Sequence, residues 1–176
     1  MPFKLPTTEN IVAIMPFYST EGDMTAIYLA TGEILKTKRR IKTLLQQLAT
    51  RHKTTLPILR NISAQITNLR IMMPLAFSWE FILLPLQVRH PLIAGDNTLG
   101  YINLKYLHHL EDNEETTCLH LTTGQKFQTL WKKETTEKHI SQAKHLALET
   151  GSSFDSSMLR RISEKYLDTL FAKLLN

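Results

Sequence analysis

The sequence predicts an α+β fold, a predominantly antiparallel β-sheet with a basic helix after the first strands and two C-terminal helices. Three observations predict it. Short apolar or alternating runs fill residues 10–36 and 62–131, helical spacing appears only at 41–53 and after 136, and turn residues separate the runs. With 176 residues and 43% hydrophobic side chains, the chain is expected to be one domain, 1–176, with a C-terminal helical subregion at 135–176.

The first element is a β-meander. Asn10 to Tyr18 and Thr25 to Lys36 are short runs, the second broken by Thr31-Gly32. Ile41, Leu44, Leu45 and Leu48 follow at i, i+3, i+4 and i+7 and define the apolar face of a helix. Lys42, Gln46, Gln47 and Thr50 occupy its opposite face, and Pro57 predicts a return to extended backbone beyond Lys53. Ile66 to Met73, Trp79 to Leu86 and Thr98 to Leu110 then read as strands punctuated by Pro74, Pro85, Pro91 and Gly95-Asp96-Asn97.

Thr116 to Leu121 and Lys126 to Trp131 flank Thr122-Thr123-Gly124-Gln125, a hairpin tetrad with glycine available for positive φ. Lys138 to Leu148 shows helical spacing at Ile140, Ala143 and Ala147, with Thr136 as amino-terminal cap and Gly151 beyond the carboxyl end. A last helix from Asp155 or Ser156 carries the stripe Leu159, Ile162, Tyr166, Leu170 and Leu174, as core packing or as a surface for a second subunit.

Charge is segregated. Between Ile34 and Trp79 stand nine cations (Lys36, Lys38, Arg39, Arg40, Lys42, Arg51, Lys53, Arg60 and Arg70) and no Asp or Glu, whereas the rest of the chain holds 12 bases against 16 acids. Such asymmetry is expected of a polyanion-binding surface. Lys36 to Lys42 crowd the front of the basic helix, the end where the dipole disfavours cations and where phosphates would offset the penalty. No Phe, Tyr or Trp interrupts this third before Phe77, which favours a duplex backbone over single strands stacked on aromatic rings.

Other chemistries find little support. Glu111, Asp112, Glu114 and Glu115 read as a solvated turn between strands. His108, His109 and His120 have no spacing of a known ligand set, so neither a metal nor another cofactor is expected, and Cys118 reads as a buried structural thiol. Nucleotide-loop, dinucleotide and hydrolase signatures are absent, so no enzymatic activity is expected. The amino terminus MPFKLPTTENIV lacks the regions of a secretion signal, no apolar run is long enough to span a bilayer, and a cytoplasmic location without membrane partners is expected.

Ala26-Ile27-Tyr28-Leu29, a hairpin, Glu33-Ile34-Leu35-Lys36, and a basic stretch ending in Arg51-His52-Lys53 occur in this order. Phe81-Ile82-Leu83-Leu84-Pro85, Arg89-His90-Pro91, Tyr101-Ile102 and the hairpin Thr123-Gly124-Gln125-Lys126 then follow. Over roughly Ile11 to Leu130 this pattern resembles ComK, the bacterial competence transcription factor, although Leu99-Gly100 stands where a Cys is common in that family. The resemblance implies a transcriptional activator of DNA-uptake genes, bound as a dimer or tetramer to A/T-rich duplex DNA through the minor groove, at the nucleoid and in contact with RNA polymerase. With the charge pattern it marks Lys36, Lys38, Arg39, Arg40, Lys42, Arg51, His52, Lys53, Arg60, Arg70 and Arg89 as DNA-binding residues.

Tyr101 to Leu107, an acidic turn, and Leu119 to Lys126 are also similar to the end of a LytTR domain, a DNA-binding module of response regulators. An RNA-binding accessory protein and an enzyme acting on an anionic substrate are the alternatives of a different class.

Overall fold

The computed structural model describes residues 3–152. Its organising element is a six-stranded antiparallel sheet of β1 (Ile11–Ser19), β2 (Gly22–Leu29), β3 (Ile34–Thr37), β4 (Leu75–Ser78), β5 (Phe81–Gln87) and β6 (Leu99–Asn103), in the order β3-β2-β1-β6-β5-β4. A three-stranded sheet, β7 (Leu107–Asn113), β8 (Thr116–Leu121) and β9 (Lys126–Thr129), follows in sequence order. The helices are α1 (Ile41–Arg51), α2 (Leu56–Thr67) and α3 (Lys133–Ser152). The α+β class is therefore as the sequence predicts, with one C-terminal helix described. The second expected helix and its stripe lie outside the described residues.

The inner strands of the large sheet are buried on both faces. Ile11 to Pro16 in β1 and Phe81 to Leu86 in β5 are continuously buried, a pattern that only a doubly covered strand requires. On one face Ile14, Ile27, Leu83 and Tyr101 pack against Ile41, Leu44, Leu45 and Leu48 of α1. On the other, Ala13, Met15, Ile82, Leu84 and Ile102 meet Leu119 and Leu121 of β8 and Ile140, Ala143 and Leu146 of α3. Leu56 and Leu59 of α2 join the first cluster and Ile62 the second, so α2 contributes to both layers.

Prolines sit within two inner strands without breaking them. Pro16 lies past the β1–β6 pairing, which stops at Ile14, and Pro85 lies past the β4–β5 pairing, which stops at Leu83. Each has a ladder on one side only, where a missing N–H is tolerated. Between β6 and β7, buried Asn103 turns the chain: its Nδ2 donates to the Ile11 carbonyl at 3.0 Å and its Oδ1 accepts from the Lys105 N–H at 3.2 Å.

Several sequence expectations are corrected. Pro57 does not extend the backbone; it occupies the first turn of α2, where its missing N–H has no intrahelical partner to lose, behind the cap Thr55. The strand expected at Ile66 to Met73 is the end of α2 and an irregular segment. Helix α3 begins at Lys133, places Thr136 inside its first turns with Oγ1 donating to the Lys132 carbonyl, and continues through Gly151. Cys118 is half-buried on the outer face of β8. Glu111 and Asp112 belong to β7, and the turn is confined to Glu114 and Glu115. The tetrad at 122–125 does close a hairpin, with Gly124 at φ +87°.

No helix among the described residues is long and apolar enough to cross a membrane. The double coverage of the sheet has a direct test. Leu83 and Leu84, adjacent in β5, are both 0% exposed and belong to different clusters. Leu83→Ala and Leu84→Ala are each expected to cost about 2–5 kcal/mol in urea unfolding; a near-neutral result for either would show that its face is not packed.

Candidate nucleic-acid interface

Strand β3 ends at Thr37 and α1 begins at Ile41, so the cations of residues 36–42 are not all on a helix. Lys36 belongs to β3. Strand alternation turns it away from Leu35, which packs on the α1 side, and its Nζ lies 5.4 Å from the centre of the Phe17 ring. Lys38 pairs with Glu21 in the β1–β2 turn at 2.5 Å. Arg39 sits over Phe3, its guanidinium 5.4 Å from the ring centre. Only Arg40, the N-cap residue with no side-chain cap bond, and Lys42 oppose the dipole directly.

The basic triplet after α1 is at the opposite end of the helix, about 16 Å away at about 1.5 Å per residue. Arg51 donates to the carbonyls of Leu5 and Pro6 and lies in the last turn, where a cation is favoured. His52 turns inward, its ring centre 5.6 Å from that of Phe77 and 6.0 Å from that of Phe81. Burial, with Arg51 alongside, lowers its pKa below the ordinary 6.5. Lys53, at φ +56°, is exposed.

Arg60, on α2, and Arg70, beyond it, are exposed. Arg89 is not: its guanidinium pairs with Asp23, lies 3.9 Å from the Tyr18 ring centre, and its Nε donates to the Asn97 carbonyl at 2.6 Å. The sequence residues thus divide. Lys38, Arg51 and Arg89 are engaged in the fold, His52 belongs to the packing, and Lys36 lies on the opposite side of the sheet from α1. Arg40, Lys42, Lys53, Arg60 and Arg70 have no acidic partner among the described residues.

Between Arg40 and Lys53 the solvent face of α1 is Lys42, Thr43, Gln46 and Thr50, all exposed. Its buried face is the apolar stripe already described, so this surface follows from the 3.6-residue period. It forms a strip of cations, hydroxyls and an amide without one acid.

A second feature lies at the end of the sheet where Lys38 meets the β1–β2 turn. The loop after β5 is held to the β1–β2 turn by Asp23, which accepts from Arg89 and from the Asn97 backbone and side-chain amides, both at 3.0 Å. Asp96 accepts from Tyr18 at 2.6 Å and from the N–H groups of Leu92 and Ile93, and these bonds hold its carboxyl below the usual range. Leu92 and Ile93 are thereby displayed at 76% and 72% exposure. Sequence reasoning missed this tip; the cue was Gly95-Asp96-Asn97 closing a turn directly behind two apolar residues.

Two outcomes follow from these contacts. Asp23→Ala leaves Arg89 half-buried and unpaired and is expected to destabilise the fold by about 2–4 kcal/mol, measured by urea unfolding. His52, and likewise His139, whose pKa is lowered by burial and Lys138, bind a proton less readily folded than unfolded. Stability is therefore expected to be unaffected by them above the ordinary pKa of 6.5 and to fall as pH drops below it. Titration followed by histidine NMR resonances checks the sign, and midpoints at or above 6.5 would contradict it. No family model matches the chain, and no curated protein or solved structure matches it.

Proposed function

We propose that this chain is a double-stranded DNA-binding transcriptional regulator whose phosphate-binding surface is the solvent face of α1 with the turn before it. The observation that carries this reading is the acid-free strip from Arg40 through Lys42, Thr43, Gln46 and Thr50 to Lys53, whose cations have no acidic partner among the described residues. Uncompensated cations beside the free N–H groups of a helix start suit phosphate oxygens, and hydroxyl and amide side chains add hydrogen bonds to the same backbone. The strip carries no aromatic ring on which an unpaired base would stack, which favours duplex over single strands.

The resemblance to ComK supports the finer reading: an activator of competence genes that contacts A/T-rich sites through the minor groove as a homo-oligomer and acts on RNA polymerase. Leu92 and Ile93 add a structural argument for the groove. An exposed apolar tip matches the chemistry of side chains that wedge between base steps from the minor groove. Lys36, Lys38, Arg51 and Arg89 contribute through the field they create and the turns they hold.

The test is duplex binding across a salt series, with bound sequences selected from a random pool. Arg40→Ala together with Lys42→Ala is expected to weaken binding to all sequences and to reduce the slope of log K against log salt by about 2. Selected sites are expected to be A/T-rich, and Leu92→Ser with Ile93→Ser to reduce that preference more than overall affinity. Unchanged affinity and slope in the folded double variant would overturn the assignment. A strong preference for single-stranded RNA would favour an RNA accessory role, and major-groove selectivity a LytTR-like one.

A further inference from the structure

The outer face of the small sheet carries a second group of chemical side chains, distant in sequence from the basic third. Strands β7 and β8 are antiparallel, with His109 opposite His120 and Glu111 opposite Cys118. Residues two apart on a strand share a face, so His109, Glu111, Cys118 and His120 form a two-by-two block. Thr117, Leu119 and Leu121, which alternate with them on β8, are buried, the two leucines in the cluster shared with the large sheet and α3, and this fixes the block on the outer side.

The block is close-knit. The carboxylate of Glu111, Sγ of Cys118 and a ring nitrogen of His120 lie within 4.8 Å of one another. Glu111 Oε2 is 2.6 Å from His120 Nε2, and the ring of His109 stacks on that of His120 with centres 4.2 Å apart and planes 21° apart. A register shift between Leu107 and His109 brings His108 alongside, its Nδ1 2.7 Å from Nδ1 of His109.

We propose that Glu111, Cys118 and His120 bind a zinc-class divalent ion, with His109 placed to supply the fourth ligand. One thiolate, one or two imidazoles and one carboxylate form the donor set of tetrahedral zinc. Ligand atoms around such an ion stand roughly 3.5 Å apart, so the three donors close on it through side-chain rotation, with the paired backbone left in place. The ion takes the position between Glu111 and His120 now bridged by their hydrogen bond. To coordinate, His109 swings its ring off His120.

The surroundings argue against harder cations. Lys126 stands opposite His120 on β9 and Gln128 opposite Cys118, so the face holds one carboxylate against one ammonium. Calcium and magnesium require several oxygen ligands and gain nothing from sulfur. A soft thiolate bond is what outweighs the neighbouring ammonium charge. The sequence cue is a pair of alternating spacings, His109-x-Glu111 and Cys118-x-His120, which acquires meaning only when the two strands pair in this register.

The test is titration of the full chain with Co(II), followed by displacement with Zn(II). One equivalent is expected to bind with a near-ultraviolet thiolate-to-cobalt charge-transfer band, and Zn(II) to abolish it. Cys118→Ser is expected to remove the band, and Glu111→Gln and His120→Ala each to weaken Co(II) binding at least tenfold, with circular dichroism unchanged because all three side chains face outward. His108→Ala is the control and should bind as the parent does. Absence of the band in the parent chain, its survival in Cys118→Ser, or a loss in His108→Ala equal to that in His120→Ala would overturn this donor set.

Discussion

Dryness on both faces of the inner strands of the six-stranded sheet is the constraint from which the rest of the arrangement follows. An antiparallel sheet with one wet face reads as alternating apolar and polar residues; this one has runs of six buried residues in β1 and β5. Two coverings are then obligatory: α1 on one side, and the small sheet with α3 on the other. Charged side chains are kept out of the middle of the molecule, where the buried polar groups are Ser, Thr and Asn. Charge is left to the solvent face of α1, the ends of the large sheet and the outer face of the small one, where the two candidate sites lie.

Electrostatics then separates cations that hold the fold from cations that face solvent. Arg89 and Arg51 are tied to Asp23 and to the Leu5 and Pro6 carbonyls, fixing a loop to the sheet and the amino-terminal segment to α1. Arg40 and Lys42 oppose the α1 dipole, each by about 0.3–1 kcal/mol, without an acid to offset the cost. That uncompensated charge is a small local frustration, and frustration of this kind belongs to function more readily than to stability.

Local signals in the sequence were readable where one period or one turn decides the outcome. The face of Ile41, Leu44, Leu45 and Leu48, the opening meander and the Gly124 hairpin all carry their geometry within a few residues. Helix α2 was hidden by a wrong reading of Pro57. Proline ends a helix from inside but fits its first turn, and Thr55 followed by the spacing Leu56, Leu59, Ile62 and Ile66 was the available cue. Long-range placement was not readable. Nine cations uninterrupted by an acid in the sequence are distributed over both sides of the sheet and both ends of a helix, while Glu111, Cys118 and His120 are united by a strand register that no local pattern specifies.

The edge strand β3 carries one more consequence. It is four residues long, pairs among the described residues with β2 alone, and shows Ile34 at 45% exposure beside the exposed Lys36. A bare edge of this kind is a template for a strand of another molecule, and shortness together with a lysine is its protection. Lys36 thus has a task that needs no ligand: its charge, on the same face as the exposed Ile34, keeps a strand of a second copy from extending the sheet along β3.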